Sequence, residues 1–95
     1  MGLRKYGAHI RVWVWGMQRW RYVRREDDGN YILVTKKTTC SVWEDLNEAQ
    51  EIAQELPPEM TYQYEDWVSA RGEKPHRIQV QTGNRQVRFT MEYEG

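Results

Sequence analysis

The chain has 95 residues, 14 Lys and Arg balanced by 14 Asp and Glu, and a single cysteine. That length bounds it to one domain, residues 1–95, with a modest core, and the lone Cys40 excludes an intramolecular disulfide. No apolar run approaches the ~20 residues of a membrane span, so no membrane partner and a cytoplasmic location are the expectations.

Residues 1–8 read as a poorly ordered N-terminus. The stretch Ile10–Trp15, IRVWVW, alternates with a period of two and predicts a strand. Gly16-Met17 suits a type II′ turn, and Gln18–Arg25 returns as a second strand. Asp28-Gly29 suits a type I′ turn before a third strand, Tyr31–Lys37. With those turns, Val12 pairs with Arg21, Trp13 with Trp20, and Val23 with Val34. Two faces follow, because directly opposed residues share a side. One holds Ile10, Val12, Val14, Val23, Ile32 and Val34 among Arg19, Arg21, Arg25 and Lys36. The other holds Trp13, Trp15, Trp20, Tyr22, Tyr31 and Leu33 beside Arg11 and Arg24. Neither is cleanly polar. A solvent-facing patch of five aromatic rings exceeds what a monomer ordinarily exposes, so the aromatic face is expected to be the core.

Ser41-x-x-Glu44 has the spacing of a capping box, and Leu46, Ala49, Ile52, Ala53 and Leu56 form one apolar stripe. A helix over about 42–56 is predicted, stopped by Pro57-Pro58. Met60–Glu65 alternates as another strand. His76–Gln81 and Arg85–Tyr93 flank a Gly83-Asn84 turn that pairs Val80 with Val87, Ile78 with Phe89 and His76 with Met91, so that the large apolar groups share one side and Gln79, Gln81, Gln86, Arg88 and Thr90 the other. The order is β-β-β-α-β-β-β. The fold class is α+β, an antiparallel sheet with one helix packed on one face.

The zero net charge hides a partition. Residues 1–40 hold nine Lys and Arg against three acids, whereas residues 41–70 hold eight acids and no base. The basic surface is assigned to Arg19, Arg21, Arg25 and Lys36, and the acidic surface to Glu48, Glu51 and Glu55. Segregated charge of this kind suits docking to a protein partner or to a second copy of the chain. The alternative is a nucleic-acid-binding sheet, with the same cations on phosphate and any exposed ring of Trp13, Trp15, Trp20 or Tyr22 stacking on bases.

Catalytic chemistry has little to stand on. His9 and His76 lie on different strands, and one cysteine cannot make a Cys/His metal cluster. Glu65 and Asp66 are adjacent in a strand pattern and point apart. Asp27–Asn30 lacks the spacing and the later Glu of a calcium loop. The sequence therefore predicts no enzyme, no catalytic residue, no metal and no cofactor.

Overall fold

The computed structural model describes residues 7–14, 19–64, 67–68, 74–83 and 85–93. The elements run β1 (Ala8–Val14), β2 (Trp20–Arg25), β3 (Tyr31–Val34), a 3-10 turn (Lys37–Thr39), α1 (Leu46–Glu55), β4 (Tyr62–Tyr64), β5 (Trp67–Val68), β6 (Pro75–Thr82) and β7 (Val87–Glu92). All seven strands join one sheet in the order β5-β4-β3-β2-β1-β6-β7. The C-terminal hairpin therefore continues the N-terminal sheet, through β6 against β1. The fold is α+β with one helix on one face. The sheet is mixed: β4 runs parallel to β3, because α1 crosses over between them, and every other pair is antiparallel.

The β1–β2 register is the expected one, with Val12 opposite Arg21 and Trp13 opposite Trp20. The β2–β3 register differs by one residue, Val23 facing Leu33 instead of Val34. The turn explains it. Gly29 N donates to Glu26 O, Glu26 N donates to Asn30 O, and Gly29 sits at φ +88°. That is a three-residue loop ending in a left-handed residue, in place of a two-residue type I′ turn. One residue of slip moves Leu33 into the core and turns Ile32 and Val34 to the other side.

The β6–β7 hairpin has the same loop pattern. Arg85 N donates to Thr82 O, and Thr82 N donates to Gln86 O. Its register moves by two, pairing Ile78 with Met91 and Val80 with Phe89, so those four residues keep their common face. A bulge at Val80/Gln81 then carries Val87 out to solvent.

The aliphatic face is the core, which corrects the expectation that the aromatic face would be. Ile10, Val12, Val14, Val23, Leu33, Ile78 and Val80 are fully buried, together with Ala49 and Ala53 of α1. The reason is the junction of β6 with β1. It sets Val12 beside Ile78 and Ile10 beside Val80, so branched aliphatics run unbroken across neighbouring strands. Across from the tryptophans the same junction sets Arg77 and Gln79, which no apolar helix stripe could cover. Helix α1 packs over β1 and β6, and its two alanines allow close approach.

The helix begins at Leu46, later than expected, and its N-cap is Asp45, whose carboxylate accepts from Asn47 N at 2.9 Å. The Ser41/Glu44 capping box does not form. Ser41 instead closes a gap between β1 and β2. Its Oγ accepts from Arg25 N at 2.7 Å and its N donates to Val23 O, while Trp43 exchanges two backbone hydrogen bonds with Ala8. Trp43 is buried there. Gly7 and Ala8, expected in a loose N-terminus, are likewise buried, Ala8 as the first residue of β1.

Candidate binding surface

The face of the sheet away from α1 is built from alternate residues of five adjacent strands. β1 contributes His9, Arg11 and Trp13, and β2 contributes Trp20, Tyr22 and Arg24. Ile32 and Val34 of β3 and Gln63 of β4 lie to one side, and Arg77, Gln79 and Gln81 of β6 to the other. Trp13, Trp20, Tyr22, Arg11 and Arg24 are all half-buried. Their rings meet water because the helix lies on the opposite side.

These side chains are held in place by one another. Trp13 and Trp20 are cross-strand partners and meet edge to face, ring centres 5.3 Å apart. The Arg11 guanidinium stands 3.9 Å from the centre of the Trp20 ring and donates from Nε to Gln79 Oε1 at 2.8 Å. Partial burial draws Arg11 below its ordinary pKa. Arg24 donates to Gln63 Oε1 at 2.7 Å and pairs with Glu26 at 3.2 Å. Arg77 pairs with Glu92 at 2.7 Å.

One end of this face is closed. The 3-10 turn returns the chain against β2, and His9 and Gln81 are buried there. Gln81 Nε2 donates to Arg85 O, which leaves its Oε1, 3.1 Å from His9 Nε2, as the acceptor. His9 therefore carries its proton on Nε2. Burial pushes its pKa down to about 4, and the charges of Lys37 and Arg11 add to the push against the opposing effect of the Gln81 bond.

The expected site residues are distributed differently from the sequence reading. Arg19, Arg25 and Lys36 are exposed, but Arg21 is only 5% exposed and does not belong to a solvent-facing basic patch. It lies on the core side of β2 with its guanidinium 4.6 Å from the Tyr62 ring centre; Nη1 donates to Trp20 O at 3.3 Å, and among the described residues Nε has no hydrogen-bond partner. The cause is position. Arg21 faces Val12 in the second of the central strands, too far from an edge for its head to reach water. Arg19 and Arg25 thus sit at opposite ends of β2 with a buried residue between them. Glu48, Glu51 and Glu55 are exposed on α1. Trp13, Trp20 and Tyr22 lie on the outer face, while Trp15 falls outside the described residues.

Sequence reasoning missed Gln79 and Gln81 as partners of the aromatic strip, and His9 as a buried group. Their signal was the glutamine alternation of β6, legible only once β6 is placed beside β1. Among the described residues no three His, Cys, Asp or Glu side chains come together as a metal site, and no helix is long and apolar enough to cross a membrane. No family model, curated protein or solved structure matches the chain.

Proposed function

We propose that this small α+β domain is a non-enzymatic binding module whose contact surface is the outer face of its sheet, and that the partner is a protein. The observation that carries this reading is the Trp13–Trp20–Arg11 cluster on the side the helix leaves uncovered. Trp, Tyr and Arg are the residues that dominate binding energy at protein interfaces, and here they are already ordered, which lowers the entropic cost of docking. Charge is divided by face. The sheet presents Arg11 and Arg24 on one side, and α1 carries Glu48, Glu51 and Glu55 on the other. An acidic group on the partner would match Arg11, which no ion pair holds among the described residues, and set its orientation. A second copy docking by this same face would set like charges together, which disfavours a symmetric pair.

The half-buried tryptophan pair also supports a second reading, single-stranded nucleic acid stacked on Trp13 and Trp20. Pairing of Arg24 with Glu26 and of Arg77 with Glu92 leaves fewer cations for phosphate, so this reading ranks below the first.

The test is affinity capture with the wild-type chain and with a Trp13→Ser/Trp20→Ser variant shown by circular dichroism to be folded. A protein retained by the wild type and lost by the variant is the expected result, and equal retention by both defeats the proposal. Tryptophan fluorescence titration with single-stranded DNA, duplex DNA and RNA, at about 50 and 200 mM salt, decides the second reading. Quenching that fades with salt favours nucleic acid. Unquenched emission at low salt removes it.

A further inference from the structure

A cavity of about 200 Å³ opens beside His9, where the 3-10 turn folds back against the sheet. Its polar wall is His9, Lys37 and Thr38. Its apolar wall is Val42, Cys40 and the glycines Gly7 and Gly83. We propose that this cavity binds a short-chain carboxylate, the head at Lys37 and Thr38, beside the His9 ring, and the tail against Val42 and Cys40.

Three features of the cavity select that ligand class. The first is charge. No carboxylate is among the described residues of the wall, and the field of Lys37 and Arg11 acts on His9 without an acid to offset it. A low-dielectric recess with one sign of charge attracts the opposite ion. The second is size. The volume falls below the roughly 300–1,000 Å³ of pockets that hold drug-sized ligands or cofactors, and it suits an acid of a few carbons. The third is order. The turn is fixed by Thr39 Oγ1 donating to Lys36 O at 2.9 Å, and the Cys40 thiol donates to Lys37 O at 3.0 Å. The thiol is thereby committed, and its sulfur offers the ligand an apolar surface.

Binding is coupled to a proton. His9 spends its Nε2–H on Gln81, so Nδ1 is its remaining polar atom, unprotonated at neutral pH. A carboxylate in the cavity stabilises the proton on Nδ1. The ligand therefore raises the pKa of His9 from about 4, and binding tightens as pH falls only until the free acid itself protonates, at about 4–5.

The experiment uses the full chain labelled with ¹⁵N, with the His9 ring nitrogens observed by NMR at constant ionic strength. The probes are sodium acetate, sodium butyrate, inorganic phosphate and butylammonium chloride. Butyrate is expected to saturate the His9 shifts with a Kd in roughly the millimolar range. Acetate, two methylenes shorter, should bind about tenfold more weakly. Butylammonium should leave the ring unmoved. Lys37→Gln, a change at an exposed side chain, should weaken butyrate about three- to fivefold. Val42→Thr should narrow the butyrate–acetate difference. A His9 signal that does not saturate by about 50 mM butyrate overturns the proposal, as does equal binding by Lys37→Gln. Phosphate binding as tightly as butyrate overturns the carboxylate assignment in favour of an unselective anion site.

Discussion

Arg11 and Trp20 are diagonal neighbours on adjacent strands, and the Arg11 guanidinium lies 3.9 Å from the Trp20 ring centre. The contact stands on the open side of the sheet, where it organises the proposed surface and also contributes to stability. Both residues are half-buried, so the attraction is partly screened. A double-mutant cycle with Arg11→Gln and Trp20→Leu should give a coupling of about 0.5–1 kcal/mol in urea denaturation. A coupling of zero would mean that solvent, not the ring, satisfies the guanidinium.

The two hairpin loops predict opposite responses to a glycine. Gly29 holds φ +88° and a Cβ there would meet nothing within 4 Å, so Gly29→Ala carries backbone strain alone. It should destabilise by about 1 kcal/mol. Arg85 occupies the matching left-handed position at φ 69° with a full side chain. Arg85→Gly should therefore stabilise, by about 0.5–1 kcal/mol, raising Tm by roughly 2–8 °C in a domain of this size. Thermal melts of the two variants check both signs, and destabilisation by Arg85→Gly would refute the account.

These loops also show what the sequence could disclose. Local patterns were legible: the alternation of β1, the stripe of α1 and the β1–β2 register all appear as expected. The register of β3 was not, because Asp27-Asp28-Gly29 serves a two-residue or a three-residue turn equally well, and the difference of one residue exchanges the faces. The buried face was not legible from the first three strands either. Aliphatic and aromatic faces were nearly balanced there, and the balance was tipped by Ile78 and Val80, more than sixty positions away from Ile10 and Val12. Ser41 was misread for a related reason. Its spacing to Glu44 is local, whereas its actual partners, Val23 and Arg25, belong to a strand edge. Of the candidate surface, the rings and the acidic helix residues could be named from the sequence, but that Trp13, Trp20 and Tyr22 face away from the helix and that Arg21 is buried both depend on the finished sheet.

Arg21 is a buried cation whose Nε lacks a hydrogen bond, resting on the Tyr62 ring, and among the described residues no ion pair includes it. A buried charge without a full set of partners costs more in desolvation than it returns. Arg21→Met keeps the length of the side chain and removes that cost. Its free energy of unfolding should equal or exceed the wild type by about 1 kcal/mol, whereas Arg21→Ala should lose about 1–3 kcal/mol through the cavity it leaves. Urea denaturation separates the cases. A loss with Arg21→Met as large as with Arg21→Ala would show that the guanidinium makes a favourable contact that the alkyl chain cannot replace.

His9 makes stability depend on pH with a definite sign. Its folded pKa is about 4 against 6.5 for the unexposed-to-field, unfolded side chain, so the unfolded chain binds the extra proton first as pH falls. Above pH 6.5 the ring is neutral in both states and contributes no pH dependence. Between pH 6.5 and about 4 the unfolded state is stabilised by protonation and folding stability drops. Below about 4 both states are protonated and the loss levels off, after a total on the order of 3 kcal/mol. Carboxylates titrate in the lower part of that window, so the wild type alone cannot isolate the effect. His9→Gln can, because it keeps an amide that can donate to Gln81 and has no titration of its own. The difference in unfolding free energy between wild type and His9→Gln should be flat from pH 8 to 7 and should then move steadily against the wild type down to about pH 4. A difference that stays constant across the whole range would show that His9 protonates as readily in the folded protein as in the unfolded chain, and that the ring reaches water through the cavity it lines.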